Sequence, residues 1–358
     1  MYKRNYVHIP FELQEYAGKK KGRGRTHIAG KYDAVLCSGS HTLNSSIISI
    51  KGCCKLGSEF LREAALRSAE DKYAAYINSH SHYALFVDVP EGVRAKASLL
   101  FVASETPLNM HVVVNVGKGA QLSLMETYES RPGRTVMGIS HETHLRDGAH
   151  AEIGALHKEG TGAVVVCFFN GRLGPGSRLK FNAAYSGGSY VRVRNTVEAS
   201  SHGSCAEVNE IVIGTGSQKF DVRTRTVNAA QLTNASLQSR AALMDTSRCV
   251  LKGFAKVESG ASGSFSHISE RGILLDAGTR MDSLPDMSVD ESNVKATHSS
   301  ATAPIGSEEL FYLMSRGVGE RQARKLIVDG FFAACIKEIG DARMRDAATS
   351  LIKEKTGM

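Results

Sequence analysis

A turn recurs along this chain at nearly constant spacing, and that recurrence restricts the available folds more than any other feature. Small-residue pairs stand at Gly119-Ala120, Gly148-Ala149, Gly176-Ser177, Gly203-Ser204, a degenerate Asn234-Ala235, and Gly260-Ala261, with steps of 29, 28, 27, 31 and 26 residues. Each opens an alternating run, as in Gln121-Leu-Ser-Leu-Met125 and Ala151-Glu-Ile-Gly-Ala155, so side chains switch faces at period two. Turn, strand and loop repeated every ~20–50 residues mark a solenoid, whose units bury their apolar faces only by stacking on one another. The expectation is therefore a parallel β-helix from about residue 86 to 303. An antiparallel sandwich is the competing architecture, and the scarcity of Asn-Gly or Asp-Gly hairpin turns between strands speaks against it.

The flanks read differently. Residues 1–85 form an expected α+β lead-in: a short amphipathic piece, the basic run Lys19-Lys-Lys-Gly-Arg-Gly-Arg25, strands at Tyr32–Cys37 and Ile47–Ile50, and helical spacing over Ser58–Arg67. After Pro304 the period becomes helical. Ser307 is the expected N-cap, with Glu308 and Glu309 in the first turn and Gly317 at C′. A second helix, Glu320–Asp329, is expected to end at Gly330, with a third starting at Phe331 and a short charged helix past Asp341. This helical region, 304–358, is expected to cap the solenoid.

Of 358 residues, 42% are hydrophobic and 22% charged, with 35 Gly against 7 Pro and no Trp; this suits a globular chain with many tight turns. No apolar stretch is long enough to span a membrane and the opening residues lack the apolar core of a secretion signal, so a soluble cytoplasmic protein is expected. The 7 cysteines are scattered, odd in number and without a C-x-x-C pair, which suits reduced thiols.

The net charge of +8 raises the question of nucleic acid, but Lys19–Arg25 is the one dense basic run in the sequence and reads as a linker. Gly24 to Gly30-Lys31 fails as a phosphate loop, since its spacing is a residue too long and Tyr32 replaces the Ser or Thr that would hold magnesium. His141-Glu-Thr-His144 lacks the i, i+4 spacing of a zinc helix. His150 and His157 read as surface or turn residues, and Cys53, Cys54 and Cys167 as buried small hydrophobes. Clustered carboxylates for a polysaccharide-acting β-helix enzyme are missing: Glu207, Glu210, Asp221 and Asp245 are dispersed. His298 stands apart, in a polar stretch between the last β segment and the helices, where a neutral imidazole at a strand edge can ligate iron while a second chain completes the coordination.

The residues around His298 also carry a family resemblance. Gly272-Ile-Leu-Leu-Asp276, Met281-Asp-Ser-Leu-Pro285, Val294-Lys295, His298, Glu309-Leu-Phe-Tyr-Leu-Met-Ser-Arg-Gly317, Ala323-Arg324 and Val328-Asp-Gly-Phe331 resemble the C-terminal region of the SufB/SufD family of iron–sulfur cluster assembly proteins. Val222–Val227, Arg240–Leu243, Lys252-Gly253 and Val257 through Gly260-Ala261 resemble its preceding coils.

That resemblance implies a right-handed parallel β-helix with flanking terminal domains, acting as a non-catalytic scaffold or partner subunit. It implies pairing with a SufB-type chain or a second copy of itself, and a nascent cluster assembled transiently at the interchain interface with His298 as a metal ligand. It further implies docking of a SufC-type ABC ATPase, the one component using ATP, on Glu309, Leu310, Phe311, Tyr312, Arg316, Ala323 and Gly330. Glu270 stands where SufB-type chains carry a cluster-building cysteine and Ser299 where they carry an acidic residue, while His298-Ser-Ser-Ala departs from the SufD-type His-Gly-Ala-Thr. The pattern favours a divergent SufD-like member, with a SufB-like self-pairing scaffold as the alternative.

Overall fold

The computed structural model describes strands at residues 34–37, 40–43 and 48–52, then residues 73, 76, 77, 81, 83–104 and 107–356. The basic run 19–25, Cys53-Cys54 and the Ser58–Arg67 segment lie outside the described residues. β1 (Ala34–Cys37), β2 (Ser40–Leu43) and β3 (Ile48–Gly52) come first. Coils follow as strand pairs: β4 (Tyr83–Val89) with β5 (Arg94–Ala103), β6 (Leu108–Val116) with β7 (Gln121–Ser130), and β8 (Thr135–Leu145) with β9 (His150–His157). They continue through β10 (Ala163–Leu173) with β11 (Arg178–Tyr185), β12 (Tyr190–Ala199) with β13 (Cys205–Gly214), and β14 (Lys219–Asn228) with β15 (Asn234–Leu243). β16 (Arg248–Val257) with β17 (Phe265–Leu274), then β18 (Arg280–Ser283), β19 (Asp286–Val289) and β20 (Lys295–Pro304), complete the stack.

The first sheet runs β2-β1-β5-β7-β9-β11-β13-β15-β17-β20 and the second β18-β16-β14-β12-β10-β8-β6-β4-β3, with β19 also on β16. Within the coils every pairing is parallel. The result is a parallel β-solenoid of about 8 turns followed by three helices.

The recurrent turn explains the stacking. Gly119, Gly148, Gly176 and Gly203 have φ between 60° and 69°, and each donates its N–H to the carbonyl of the next coil's turn: Asp147, Pro175, His202 and Gln231. The ladder then continues through Leu232, whose N–H reaches Ser262, and Gly263, whose N–H reaches Asn293. Beyond Gly203 the repeat thus falls on Leu232-Thr233 and Gly263-Ser264, a shift from the expected Asn234-Ala235 and Gly260-Ala261. Leu232 takes a φ of 56°, a left-handed conformation that costs a side-chain-bearing residue about 1–2 kcal/mol. No propensity marks a leucine for that role.

Inside, each sheet sends alternate residues to a shared core. On the first sheet, register neighbours form an unbroken ladder Ala97, Leu124, Ile153, Phe181, Val208, Leu237, Ile268, each at most 2% exposed. Beside it runs an aromatic ladder, Phe101, Tyr128, His157 and Tyr185, stacked at centroid distances of 4.8, 4.3 and 5.1 Å.

The helices are α1 (Ser307–Ser315), α2 (Glu320–Glu338) and α3 (Ala342–Thr356). They do not cap the solenoid's end. α2 and α3 fold back along the outer face of the first sheet, where Val328, Phe332, Cys335, Leu351 and Ile352 pack on Ala184, Ile211, Ile213, Ala242 and Ile273. Arg343 reaches as far as Ser98 and Ser123. α2 also runs through Gly330 without ending there, because Val328, Phe332 and Cys335 keep one face buried across it; that burial outweighs the ~1 kcal/mol penalty of a mid-helix glycine. Gly306, with no side-chain cap, occupies the N-cap position expected for Ser307, whereas Gly317 closes α1 with φ 86°. No helix among the described residues is long and apolar enough to cross a membrane.

Candidate functional site

The last coil differs from those before it because no further strand among the described residues stacks on it. β20 pairs with β17 and ends the first sheet, and nine of its ten residues are exposed. Lys295 N–H donates to Ser264 and Ile305 N–H to Leu274. Parallel pairing alternates by residue, so the odd-numbered amides face β17 while those of Ala296, His298, Ser300 and Thr302 face the open edge. An unpaired edge of this length, carrying one charged residue, is a template for another strand.

His298 sits directly opposite Ile268 and so occupies the next rung of the buried aliphatic ladder, yet it is exposed. Its neighbours fix the facing. Ser300 Oγ lies 2.6 Å from Ser283 Oγ, a group that itself bonds the fully buried Glu270, while Thr297 and Ser299 hydroxyls meet His267 and Ser269 on the opposite face. An imidazole therefore holds a core position at the open end of the solenoid. Among the described residues no group of three or more His, Cys, Asp or Glu is arranged to hold a metal ion. His298 is the one imidazole on β20, flanked in sequence by the hydroxyls of Thr297 and Ser299.

Glu270 lies one coil deeper. It accepts hydrogen bonds from the Gly253 N–H and the Ser283 hydroxyl, which occupy both carboxylate oxygens, and it does not reach the open edge. His141 and His144 stand on opposite faces of β8: His141 lies inside, 3.2 Å from Glu126 and 2.9 Å from Thr143, and His144 lies outside, 3.6 Å from Glu142. They share no ion. Burial pushes the Glu142 carboxyl up, but hydrogen bonds from His111 and His144 and their charges dominate and hold it down at about 2.

His157, expected at the surface, is instead buried at 3% exposure between Tyr128 and Tyr185. Its Nδ1 is 2.8 Å from Glu159 and its Nε2 is 3.8 Å from Cys167 Sγ. Burial alone would lower its pKa, yet Cys167 and Glu159 raise it to about 10. Burial pushes the Cys167 thiol up. His157 thus sits, away from solvent, between Glu159 at one ring nitrogen and Cys167 Sγ at the other, in surroundings that favour its protonated form. Period-two alternation marks position 157 as inward; a histidine there is legible as buried only once the strand's phase is known.

The helical residues divide into exposed and buried. Phe311 is 74% exposed, Tyr312 58% and Met314 44%, and α1 buries none of its side chains. Glu309 is exposed and Leu310 half-buried; the Arg316 guanidinium lies 5.3 Å over the Tyr312 ring. Gly330 is exposed midway along α2. Ala323, expected at a partner surface, is completely buried within this chain, because it lies on the face of α2 that packs inward. Large apolar side chains crowded on one short helix that packs against α2 and fully buries none of its residues form an exposed patch of the kind found at docking surfaces.

Among the described residues, the solenoid thus ends on an unpaired strand that carries an exposed core rung. Comparison with known proteins assigns the class. The SufBD core domain of the SUF system for FeS cluster assembly matches residues 100–331, and this chain belongs to that family. The iron-sulfur cluster assembly protein SufD of Bacillus subtilis is 24% identical over 292 residues, 79% of this chain and 65% of that protein. An iron-sulfur cluster assembly SufBD family protein of Mycobacterium leprae is 30% identical over 191 residues, 51% of this chain and 49% of its own length. A Mycobacterium tuberculosis SufBD family protein is 29% identical over 192 residues, 51% and 48% of the two chains. The matched part thus covers less than two thirds of each of these relatives.

Proposed function

We propose that this chain is a SufD-like, non-catalytic partner subunit in SUF iron–sulfur cluster assembly. It pairs edge to edge through β20 with a SufB-type chain, and His298 contributes one nitrogen ligand to an iron or nascent-cluster cargo at the seam. The observation that carries this reading is the imidazole on a core rung of an uncapped coil. The partner supplies the remaining ligands, sulfur above all. Self-pairing through the same edge is the alternative, and it offers two imidazoles but no sulfur ligand on β20.

The second half of the reading concerns α1. Phe311, Tyr312 and Met314, with Glu309, Leu310 and Arg316 beside them in sequence and Gly330 on α2, dock a SufC-type ATPase. Ala323 acts indirectly, by setting α2 close to the sheet. ATP-driven closure of two such ATPases, each holding a helical handle, transmits force to the β20 seam and opens it to cargo.

Co-expression with a SufB-type chain and a SufC-type ATPase tests this directly. The expected result is a three-component complex whose iron and sulfide contents fall about tenfold or more with His298→Ala while its composition is unchanged. An intact complex with unaltered iron and sulfide would remove His298 from the chemistry. Failure of the ATPase to co-purify, or its retention by Phe311→Ala/Tyr312→Ala, would remove α1 from the docking.

A further inference from the structure

Cations far apart in the sequence meet on the outer face of the second sheet. Lys219, Arg248 and Arg280 are direct register neighbours on β14, β16 and β18. Arg194, Arg223 and Lys252 are likewise neighbours on β12, β14 and β16. Adjacent strands are about 4.8 Å apart, and like charges set directly opposite one another destabilise a sheet. Two such ladders side by side therefore work against folding unless an anion meets them.

Between the ladders lies one internal anion. Asp221 takes Arg194 at 2.6 and 3.1 Å, Arg223 at 3.2 Å and Arg192 at 3.4 Å. Burial pushes the Asp221 carboxyl up, but hydrogen bonds from Arg194 and the surrounding guanidinium charges hold it below the usual range. Three guanidiniums on one carboxylate leave the cluster cationic. Arg225, on the next row, is exposed and lies 5.7 Å over the Phe254 ring. Against these cations the four rows carry three carboxylates, Asp221, Asp282 and Asp286.

The two sheets are thus treated differently. The outer face of the first carries an apolar patch covered by α2 and α3. On the second, among the described residues, Ile77 packs on Val166 and Phe168, and Tyr73 lies under the Arg192 guanidinium. Farther along, Lys219, Arg223, Arg225, Arg248 and Arg280 are exposed.

We propose that this basic face docks the acidic surface of a protein partner. Its chemistry favours carboxylates over a phosphate backbone. The guanidiniums already converge on a carboxylate at Asp221, in the forked geometry arginine uses for that group. Among the described residues of these rows no aromatic ring is presented for stacking bases, since Phe254 is half-buried beneath Arg225 and Tyr190 is half-buried. Glu198, Asp286 and Asp290 flank the ladders, where they would repel a polyphosphate but can pair with cations on a protein. This docking does not depend on the β20 edge or on α1.

The test uses the full chain with two probes of equal charge, a fluorescent Glu-rich peptide and a single-stranded RNA. The peptide is expected to bind with a steep loss on adding salt, and the triple variant R223Q/R248Q/K252Q to weaken it about tenfold or more with a flatter salt slope. The single exposed replacement R248E, checked for an unchanged melting temperature, keeps the test informative if the triple variant folds poorly; it is expected to weaken the peptide about threefold. Neutralising Lys19, Lys20 and Lys21 is expected to leave peptide binding unaltered. Loss of binding in that variant alone, tighter binding of RNA than of peptide, or no binding of the peptide would each overturn the proposal. Retention of the co-purifying ATPase by R223Q/R248Q/K252Q separates this face from the α1 surface.

Discussion

The same row of the first sheet has two fates. In the middle coils it reads Ile153, Phe181, Val208, Leu237 and Ile268, and each member is sealed by the coil on either side. At the end it reads His298, which has a strand neighbour below and, among the described residues, none above. Identical backbone geometry and register thus yield core in one place and a reactive edge in the other. What separates them is whether another coil follows, which is a property of the stack and not of the strand.

The largest effect expected from that contrast is on stability. Leu237→Ala should lower unfolding free energy by about 2–5 kcal/mol, as for other large-to-small core changes, whereas His298→Ala should stay within about 0.5 kcal/mol; chemical denaturation of both variants measures this. Equal losses would mean that His298 is structural and would break the comparison.

Partner affinity should respond next. Ala296→Pro deletes an amide that faces the open edge and leaves the pairing with β17 intact. Its dissociation constant for the strand-pairing partner should rise about tenfold, read by analytical ultracentrifugation with circular dichroism as the fold control. Unchanged association would locate the interface elsewhere.

A smaller effect sharpens the view of the middle coils. The pKa of His157 is raised in the folded state to about 10, from about 6.5 in an unfolded chain. Its contribution is therefore complete below pH ~6.5 and is lost as pH rises through about 10. Unfolding curves across that window should show the decline in the parent chain and a flatter profile in His157→Gln. The smallest change is expected at the turn ladder, where Leu232→Gly should raise stability by about 1 kcal/mol by relieving the left-handed conformation.

Much of the architecture is readable from residues. Four glycines at steps of 27–29 residues, each followed by alternation, announce a stacked coil, and the structure places all four in the same positive-φ turn. Past Gly203 the phase is lost to sequence reading, since Leu232 adopts the turn conformation with no side-chain signal for it. Gly330 misleads in the opposite sense: it looks like a helix stop, and tertiary packing on both sides of it carries the helix through. The candidate site is partly legible. His298 is conspicuous in a polar stretch, and Phe311 and Tyr312 in an amphipathic one, but the burial of His157 and Ala323 depends on which face each element turns inward. The basic face is invisible to a search for dense runs, because its cations lie about one coil apart along the chain.

Local chemistry alone determined the period, the alternation and the helical tail, since turn geometry and the two-residue pleat act over a few bonds. Only the assembled stack decided that a histidine on a core rung would meet solvent, that the helices would cover one sheet and leave the other, and that cations some 30 residues apart would become neighbours. Burial and electrostatics depend on what lies across a gap of about 5–10 Å, and along a solenoid that neighbour comes from the next coil rather than the next residue.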